Sequence, residues 1–312
     1  YYETYLRGKN GEQKFYIDNV GRISEIISST DSVAGDDLYL SIDADLQKAT
    51  YLALQNEIAA IVYSNIKSGE IPINDVYTAL IGNSVINTEH FSKSKASDTE
   101  KSVLSVFKSR QKTTLGKIKQ ELTSSPEALN TMSDEVLDEF TYIISMLKDD
   151  QVLLKNEIDT SDSVYQKWKD QKISPKEYLN YCITQHWIDI SQLNVDEKYA
   201  DSTEVYDALC KYILKNIKTD TEFSKIIYQY MITRGEISPR QLCLILFDQG
   251  VLDYDDATVN KLKNGSLSPR DFLMKKIYNI EITPAQLALE PCIGSCVVTD
   301  EKTCLLYTSP SP

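Results

Sequence analysis

Ser105-Val-Phe-Lys108 places a hydroxyl and an amine one helical turn apart on the same face. In that arrangement a lysine can take a serine's proton and leave a nucleophilic alkoxide for acyl transfer. The same Ser-x-x-Lys spacing recurs at Ser64–Lys67, Ser92–Lys95 and Ser109–Lys112. With 30 serines and 27 lysines among 312 residues, two or three such strings arise by chance. The spacing alone therefore singles out no nucleophile. Ser105–Lys108 is the closest in spelling to a working pair, but it lies in a polar, Lys/Ser-rich helical stretch.

Other chemistry-bearing residues are sparse. Cys182, Cys210 and Cys243 sit within apolar helical patterns and read as buried fillers. Cys292 and Cys296 have CxxxC spacing, but no second cysteine pair accompanies them, and His90 and His186 are far apart in sequence, so no zinc site is expected. Asp253-Tyr-Asp-Asp256 and Asp149-Asp150 lack the glycine and terminal glutamate of a calcium loop and read as solvated helix caps. Many of the 20 tyrosines, such as Tyr206 with Tyr212 and Tyr228 with Tyr230, lie on helix faces and suit amphipathic packing better than carbohydrate stacking. No residue is assigned a catalytic, cofactor-binding or metal-binding role, and no cofactor is expected.

The net charge of −13 opposes nucleic acid and anionic membrane surfaces as partners, because both demand neutralisation of negative charge. Hydrophobic content of 42% and charged content of 25% are ordinary for a globular protein. No apolar run approaches a membrane span.

The elements follow from local signals. Residues 1–37 read as irregular β, with Phe15-Tyr-Ile and Ile23 to Ile27 flanking a turn at Asp18-Asn19 and Gly21. Leu38, Leu40 and Ile42 alternate as a short strand. Asp43 then sits at an N-cap, and Leu46, Ala49, Leu52, Ala53 and Leu54 form the apolar face of a helix over 43–62. From about Tyr63 to Ile282 the pattern is helical. One start device repeats at Ser174-Pro-Lys-Glu177, Ser238-Pro-Arg-Gln241, Ser268-Pro-Arg-Asp271 and Thr283-Pro-Ala-Gln286: a hydroxyl cap, a proline with preset φ, then an acceptor at N3. Ile71-Pro-Ile-Asn-Asp75 is a weaker copy. Ile173, Ile237, Leu267 and Ile282 precede the caps and are placed to staple onto Tyr178, Leu242, Phe272 and Leu287. Ser295 to Asp300 reads as a strand entered by a Pro/Gly turn.

Two of these stretches carry a resemblance. Ser41-Ile42-Asp43-Ala44-Asp45-Leu46-Gln47, followed far downstream by Val297-Val298-Thr299-Asp300 with Lys302-Thr303, resembles the opening of the transpeptidase domain of class B penicillin-binding proteins. Tyr2-Glu-Thr-Tyr-Leu-Arg-Gly-Lys-Asn-Gly11 looks like the end of that family's pedestal. The resemblance covers about eighty residues at the two ends.

It implies a chain that is mainly α with small β segments at both ends (α+β). Residues 1–37 would end the pedestal or dimerisation domain, 38–62 would supply the first strand and helix of the transpeptidase domain, and 63–282 would be an all-α helical insertion able to fold alone. Residues 283–303 would then start the transpeptidase sheet, with strands 38–42 and 295–300 near one another. The tail 304–312, Cys304-Leu-Leu-Tyr-Thr-Ser-Pro-Ser-Pro312, resembles translated sequencing-adapter read-through.

In the family, a Ser-x-x-Lys follows Pro-Gly and lies downstream of the first sheet strand, and a Lys-Thr-Gly strand completes the site. Here Ser105–Lys108 precedes that strand, while Lys112-Thr-Thr114 and Lys302-Thr-Cys304 lack the glycine. The resemblance therefore implies a catalytically incomplete fragment of a cell-wall D,D-transpeptidase. The parent would face outward on the cell membrane through an anchor not in this chain. It would act on peptidoglycan stem peptides, react with β-lactams and join a cell-wall synthesis complex. The alternative is a helical scaffold or adaptor without enzymatic activity.

Overall fold

The computed structural model describes residues 2–17, 22–39, 43–124, 127–195, 200–289 and 294–299. It is mainly helical with one small antiparallel sheet, as the sequence implies. Two compact units divide it. The first holds the residues up to Leu54 together with the described residues from Ser295 on, and the second runs from Gln55 to Gly294.

In the first unit a single turn of helix, α1 (Glu3–Leu6), precedes strands β1 (Glu12–Ile17) and β2 (Ile23–Thr30). The strands pair antiparallel, with Phe15 opposite Ile26 and Ile17 opposite Ile23. Lys9 and Val33 exchange both backbone bonds, at 2.8 and 2.9 Å. The expected turn at Asp18-Asn19 and Gly21 lies outside the described residues.

The two strands expected beyond the hairpin do not form over their described parts. Leu38 and Tyr39 carry no strand, nor do Ser295 to Val298, and Thr299 makes a lone bridge. Alternation supplies a strand's side-chain pattern but not its hydrogen-bonding partner. Leu40, Ser41, Ile42 and Asp300, on which the rest of that pairing depends, lie outside the described residues.

Helix α2 (Ala44–Ser68) runs through the division between the units. Asp43 caps it as expected: Oδ1 accepts from the backbone of Asp45 and Leu46, both at 3.0 Å. The expected apolar face is not the buried one. Leu46 and Leu54 are half-buried and Ala49, Leu52 and Ala53 exposed, whereas Ala59, Val62 and Ile66, further along, are fully buried. The helix also passes the expected end at 62 without interruption.

The second unit continues with α3 (Ile73–Gly82), α4 (Asp98–Thr123), α5 (Asp134–Asp149), α6 (Ser163–Lys169), α7 (Pro175–Thr184), α8 (Ser202–Ile217), α9 (Thr221–Thr233), α10 (Pro239–Asp248), α11 (Asp256–Asn264) and α12 (Pro269–Tyr278). Its centre is aromatic: Phe107 of α4 stacks on Tyr228 of α9 at 4.1 Å between centroids, and Phe91 meets the same ring edge-on at 5.8 Å. Helices α3, α4 and α5 all pack against α9.

The repeated start device forms as read. Ser174, Ser238 and Ser268 accept from the N3 backbone at 3.1, 3.3 and 3.1 Å. Thr283 and Gln286 close the same box, at 2.8 and 3.2 Å, yet only a turn follows and no helix. At α3 the cap position is Pro72, whose ring offers no hydrogen-bond acceptor.

The caps belong to a larger repeat. Spans 69–86, 171–188, 235–252 and 265–282 each open on a left-handed residue: Gly69, Gln171, Gly235 and Gly265. Fifteen positions later each closes on another: Ser84, His186, Gly250 and Ile280. The opening residue ends the previous helix and the closing one ends the unit's own helix, the usual C′ geometry. The chain then dives inward at Ile86, Ile188, Leu252 and Ile282, all at least nine-tenths buried. Four helices thus share one length because their two ends are fixed by the same devices.

Ile280 is the costly member, a half-buried β-branched residue at φ 60. L-residues pay roughly 1–2 kcal/mol for that conformation, and glycine does not. Ile280→Gly is therefore expected to raise stability by about 1 kcal/mol in a denaturant melt. A loss of stability would mean that the Ile280 side chain contributes more by packing than its backbone costs.

Candidate functional site

The Ser-x-x-Lys pairs are scattered. Ser64 and Lys67 lie on α2, Ser105–Lys108 and Ser109–Lys112 on α4, and Ser92 ends a short 3-10 turn with Lys95 in the following loop. A further pair, Ser145–Lys148, lies on α5. All five serines are exposed, and no hydrogen bond joins serine to lysine in any pair. Nor do two pairs converge: α4 carries Ser105 and Ser109 along one exposed stripe. Cys182, Cys210 and Cys243 are buried as expected, and burial pushes their thiols up to about 12, 11 and 12. They are inert packing groups. Cys292 lies outside the described residues, and Cys296 is exposed.

The polar groups that the fold does bring together hold helices to one another. Glu100 is fully buried and every contact has a purpose. Its Oε2 accepts from the Ser97 backbone at 2.7 Å, closing the α4 capping box. Its Oε1 meets His90 Nδ1 and Gln249 Nε2, both at 2.7 Å. Gln249 in turn accepts from the Asn87 backbone at 2.8 Å. Burial would raise this carboxyl, but the Gln249, Ser97 and His90 hydrogen bonds outweigh it and hold it below its usual range. Ser97-x-x-Glu100 carries the readable spacing of a capping box, whereas the meeting of His90, Glu100 and Gln249 does not show in spacing because they come from three separate elements.

A second cluster joins α4, α5 and α9. Both oxygens of Glu135 lie 2.9 Å from Arg110 Nη2, and Oε2 lies 2.6 Å from Arg234 Nη2. One turn along α5, Glu139 is 1% exposed and its Oε1 has no partner. Burial first, and the Glu135 charge second, push Glu139 up to about 8 against the pull of Arg110. A carboxylic acid with that affinity could exchange a proton near neutral pH, but at 1% exposed it is closed off from solvent.

Four tyrosines finish the cross-linking. Tyr142, Tyr181, Tyr212 and Tyr230 donate to Asp220, Asp162, Asp150 and Asp138 at 2.8, 2.7, 2.9 and 2.6 Å. Tyr206 and Tyr228 are buried in the core, in keeping with the packing role expected for the tyrosine-rich faces. Asp255 caps α11 through Ala257 and Thr258, which accounts for the 253–256 acidic cluster. Asp150 follows α5 as its C-cap and receives the Tyr212 hydroxyl.

An open concavity of about 860 Å³ borders Tyr212, and two more lie beside α12. One of about 630 Å³ is lined by Tyr63, Lys67, Arg270 and Tyr278 among others, with Tyr63 and Tyr278 edge-to-face at 5.2 Å. A neighbouring groove of about 390 Å³ lies at the starts of α10 and α12. Among the described residues, no helix is long and apolar enough to cross a membrane.

No protein-family model matches the chain, and no solved structure matches it. Curated relatives match in part. The peptidoglycan D,D-transpeptidase FtsI of Escherichia coli K12 is 34% identical over 103 residues, 33% of this chain and 17% of that protein. The peptidoglycan D,D-transpeptidase MrdA of Salmonella typhimurium LT2 is 32% identical over 71 residues, 23% of this chain and 11% of that protein. The chain thus matches less than a fifth of the length of these relatives. Over up to a third of its own residues, it is related to penicillin-binding-type peptidoglycan D,D-transpeptidases.

Proposed function

We propose that this chain is a non-catalytic portion of a class B penicillin-binding D,D-transpeptidase, carrying a large helical unit in the interval between the first helix and first central strand of the catalytic domain. The observation that carries the reading is the 34% identity over 103 residues to a peptidoglycan D,D-transpeptidase. The Ile-Asp-x-x-Leu-Gln stretch, with Asp43 capping α2, supports it. So does the grouping of the residues up to Leu54 with the described residues from Ser295 on into one compact unit, although the described parts of 38–42 and 295–300 form no strand. The cross-linking of stem peptides and reaction with β-lactams then belong to the rest of the polypeptide. An anchor outside this chain would hold the enzyme on the outer face of the cell membrane.

Acylation requires a serine whose lysine base and oxyanion donors are already in place. The exposed, unconnected Ser-x-x-Lys pairs offer none of that. The chain is expected to stay unlabelled by a fluorescent penicillin, as read on a denaturing gel. A covalent band that vanishes in Ser105→Ala would contradict the reading.

A further inference from the structure

The groove of about 390 Å³ is lined by Tyr77, Ser238, Pro239, Arg240, Ser268, Pro269 and Arg270. Two ten-residue helices, α10 and α12, begin there with the same Ser-Pro-Arg order. In each, the serine hydroxyl occupies the N3 backbone donor, and proline at N1 has no donor. The second backbone N–H of each helix, at Arg240 and Arg270, is left without an intrahelical partner, and the positive ends of both dipoles meet.

Helix ends alone would not define a site, but Tyr77 adds an independent observation. It reaches the groove from α3, is 3% exposed, and its hydroxyl makes no hydrogen bond among the described residues. Burial lifts Tyr77 well above the ordinary phenol range, so the hydroxyl stays protonated and can donate. Arg240 is exposed and has no ion pair among the described residues, in a chain of net charge −13. Arg270 spends one Nη2 bond, at 3.1 Å, on the Ile66 carbonyl, which fixes its guanidinium beside the groove. Asp271 lines the neighbouring concavity, and burial, together with its charge, favours the protonated Tyr77 hydroxyl.

We propose that this groove binds a phosphoryl group, held between the two helix N-termini by Arg240, Arg270 and the Tyr77 hydroxyl. Two guanidinium groups, two backbone N–H donors and one hydroxyl are more than a carboxylate's two oxygens can use. They suit a tetrahedral oxyanion with three or more free oxygens. The site is independent of the transpeptidase reading, since every residue of it lies in the helical unit.

The test is a titration of the full chain with inorganic phosphate at constant ionic strength, following backbone amide resonances. Saturable shifts at Arg240 and Arg270 are expected. Arg240→Gln should weaken binding about tenfold and Tyr77→Phe about threefold. Lys275→Gln, in the neighbouring concavity, should leave affinity within about twofold. Methyl phosphate, with three free oxygens, is expected to bind about as tightly as inorganic phosphate and dimethyl phosphate, with two, clearly more weakly; equal binding of the two esters would overturn the three-oxygen requirement. The proposal is overturned if phosphate produces no saturable shift, if Arg240→Gln binds as well as the natural chain, or if acetate binds as tightly as phosphate. Unchanged melting of both groove variants shows that a lost signal is not lost folding.

Discussion

Glu139→Gln is expected to stabilise the protein markedly at alkaline pH and hardly at all at pH 5. Glu139 is 1% exposed with an unpartnered oxygen, and its folded-state affinity for a proton is raised from 4.5 to about 8. The folded state therefore holds a proton that the unfolded state releases from about pH 4.5 upward. Stability falls as pH rises through that window and levels off above about 8. Each unit of raised affinity corresponds to about 1.4 kcal/mol, so the loss between pH 5 and 8.5 is on the order of 3–4 kcal/mol.

Glutamine mimics the protonated acid at every pH, and the variant's melting temperature should lose this descent. The neighbouring ion pairs refine the expectation. Glu135 carries two arginines, and its charge is the second cause of the shift. In Glu135→Gln the descent should move to lower pH, because Arg110 is then free to favour the ionised form of Glu139. Parallel pH profiles for the natural chain and Glu139→Gln would show that Glu139 ionises normally and has access to water.

The helical body was legible where local chemistry decides. Ser174, Ser238 and Ser268 announce helix starts by residue type alone, and each caps its helix. Asp43 and Asp255 were equally readable. Stops were harder. Glycine marks them at Gly69, Gly235, Gly250 and Gly265, but Ser84, Gln171, His186 and Ile280 do the same work with no compositional sign. The repeat was visible in the starts and concealed in the ends.

Thr283 and Gln286 show the opposite failure, a complete capping box with no helix after it. A cap satisfies donors but cannot supply the propagation that a helix needs. Over their described parts the strands expected at 38–42 and 295–300 are absent for another reason, since alternation does not disclose a partner. The candidate polar sites were the least legible. Glu100 with Gln249, and Glu135 with Arg234, are long-range pairs that only the packing of α4, α5, α9 and α10 creates.

Residues 55–294 are expected to form a self-sufficient helical unit. The compact division falls there, wider at both ends than the span 63–282 expected from the helical pattern. The difference has a physical content. Residues 55–62 bring Ala59 and Val62 into the core, and Leu287, 1% exposed, lies past 282, where its carbonyl accepts from Asn83 Nδ2 at 2.7 Å. Removing these groups and exposing what they cover should cost on the order of 5 kcal/mol.

The decisive measurement is far-ultraviolet circular dichroism through a thermal melt of two polypeptides, residues 55–294 and residues 63–282. Residues 55–294 should give a strongly helical spectrum and a single cooperative transition, at the temperature where the helical signal of the whole chain is lost. The shorter span should melt at least 10 °C lower, the order expected from that loss in a unit of this size. A coil-like spectrum for 55–294 would contradict the claim, and would mean that these helices depend on the rest of the chain for their fold.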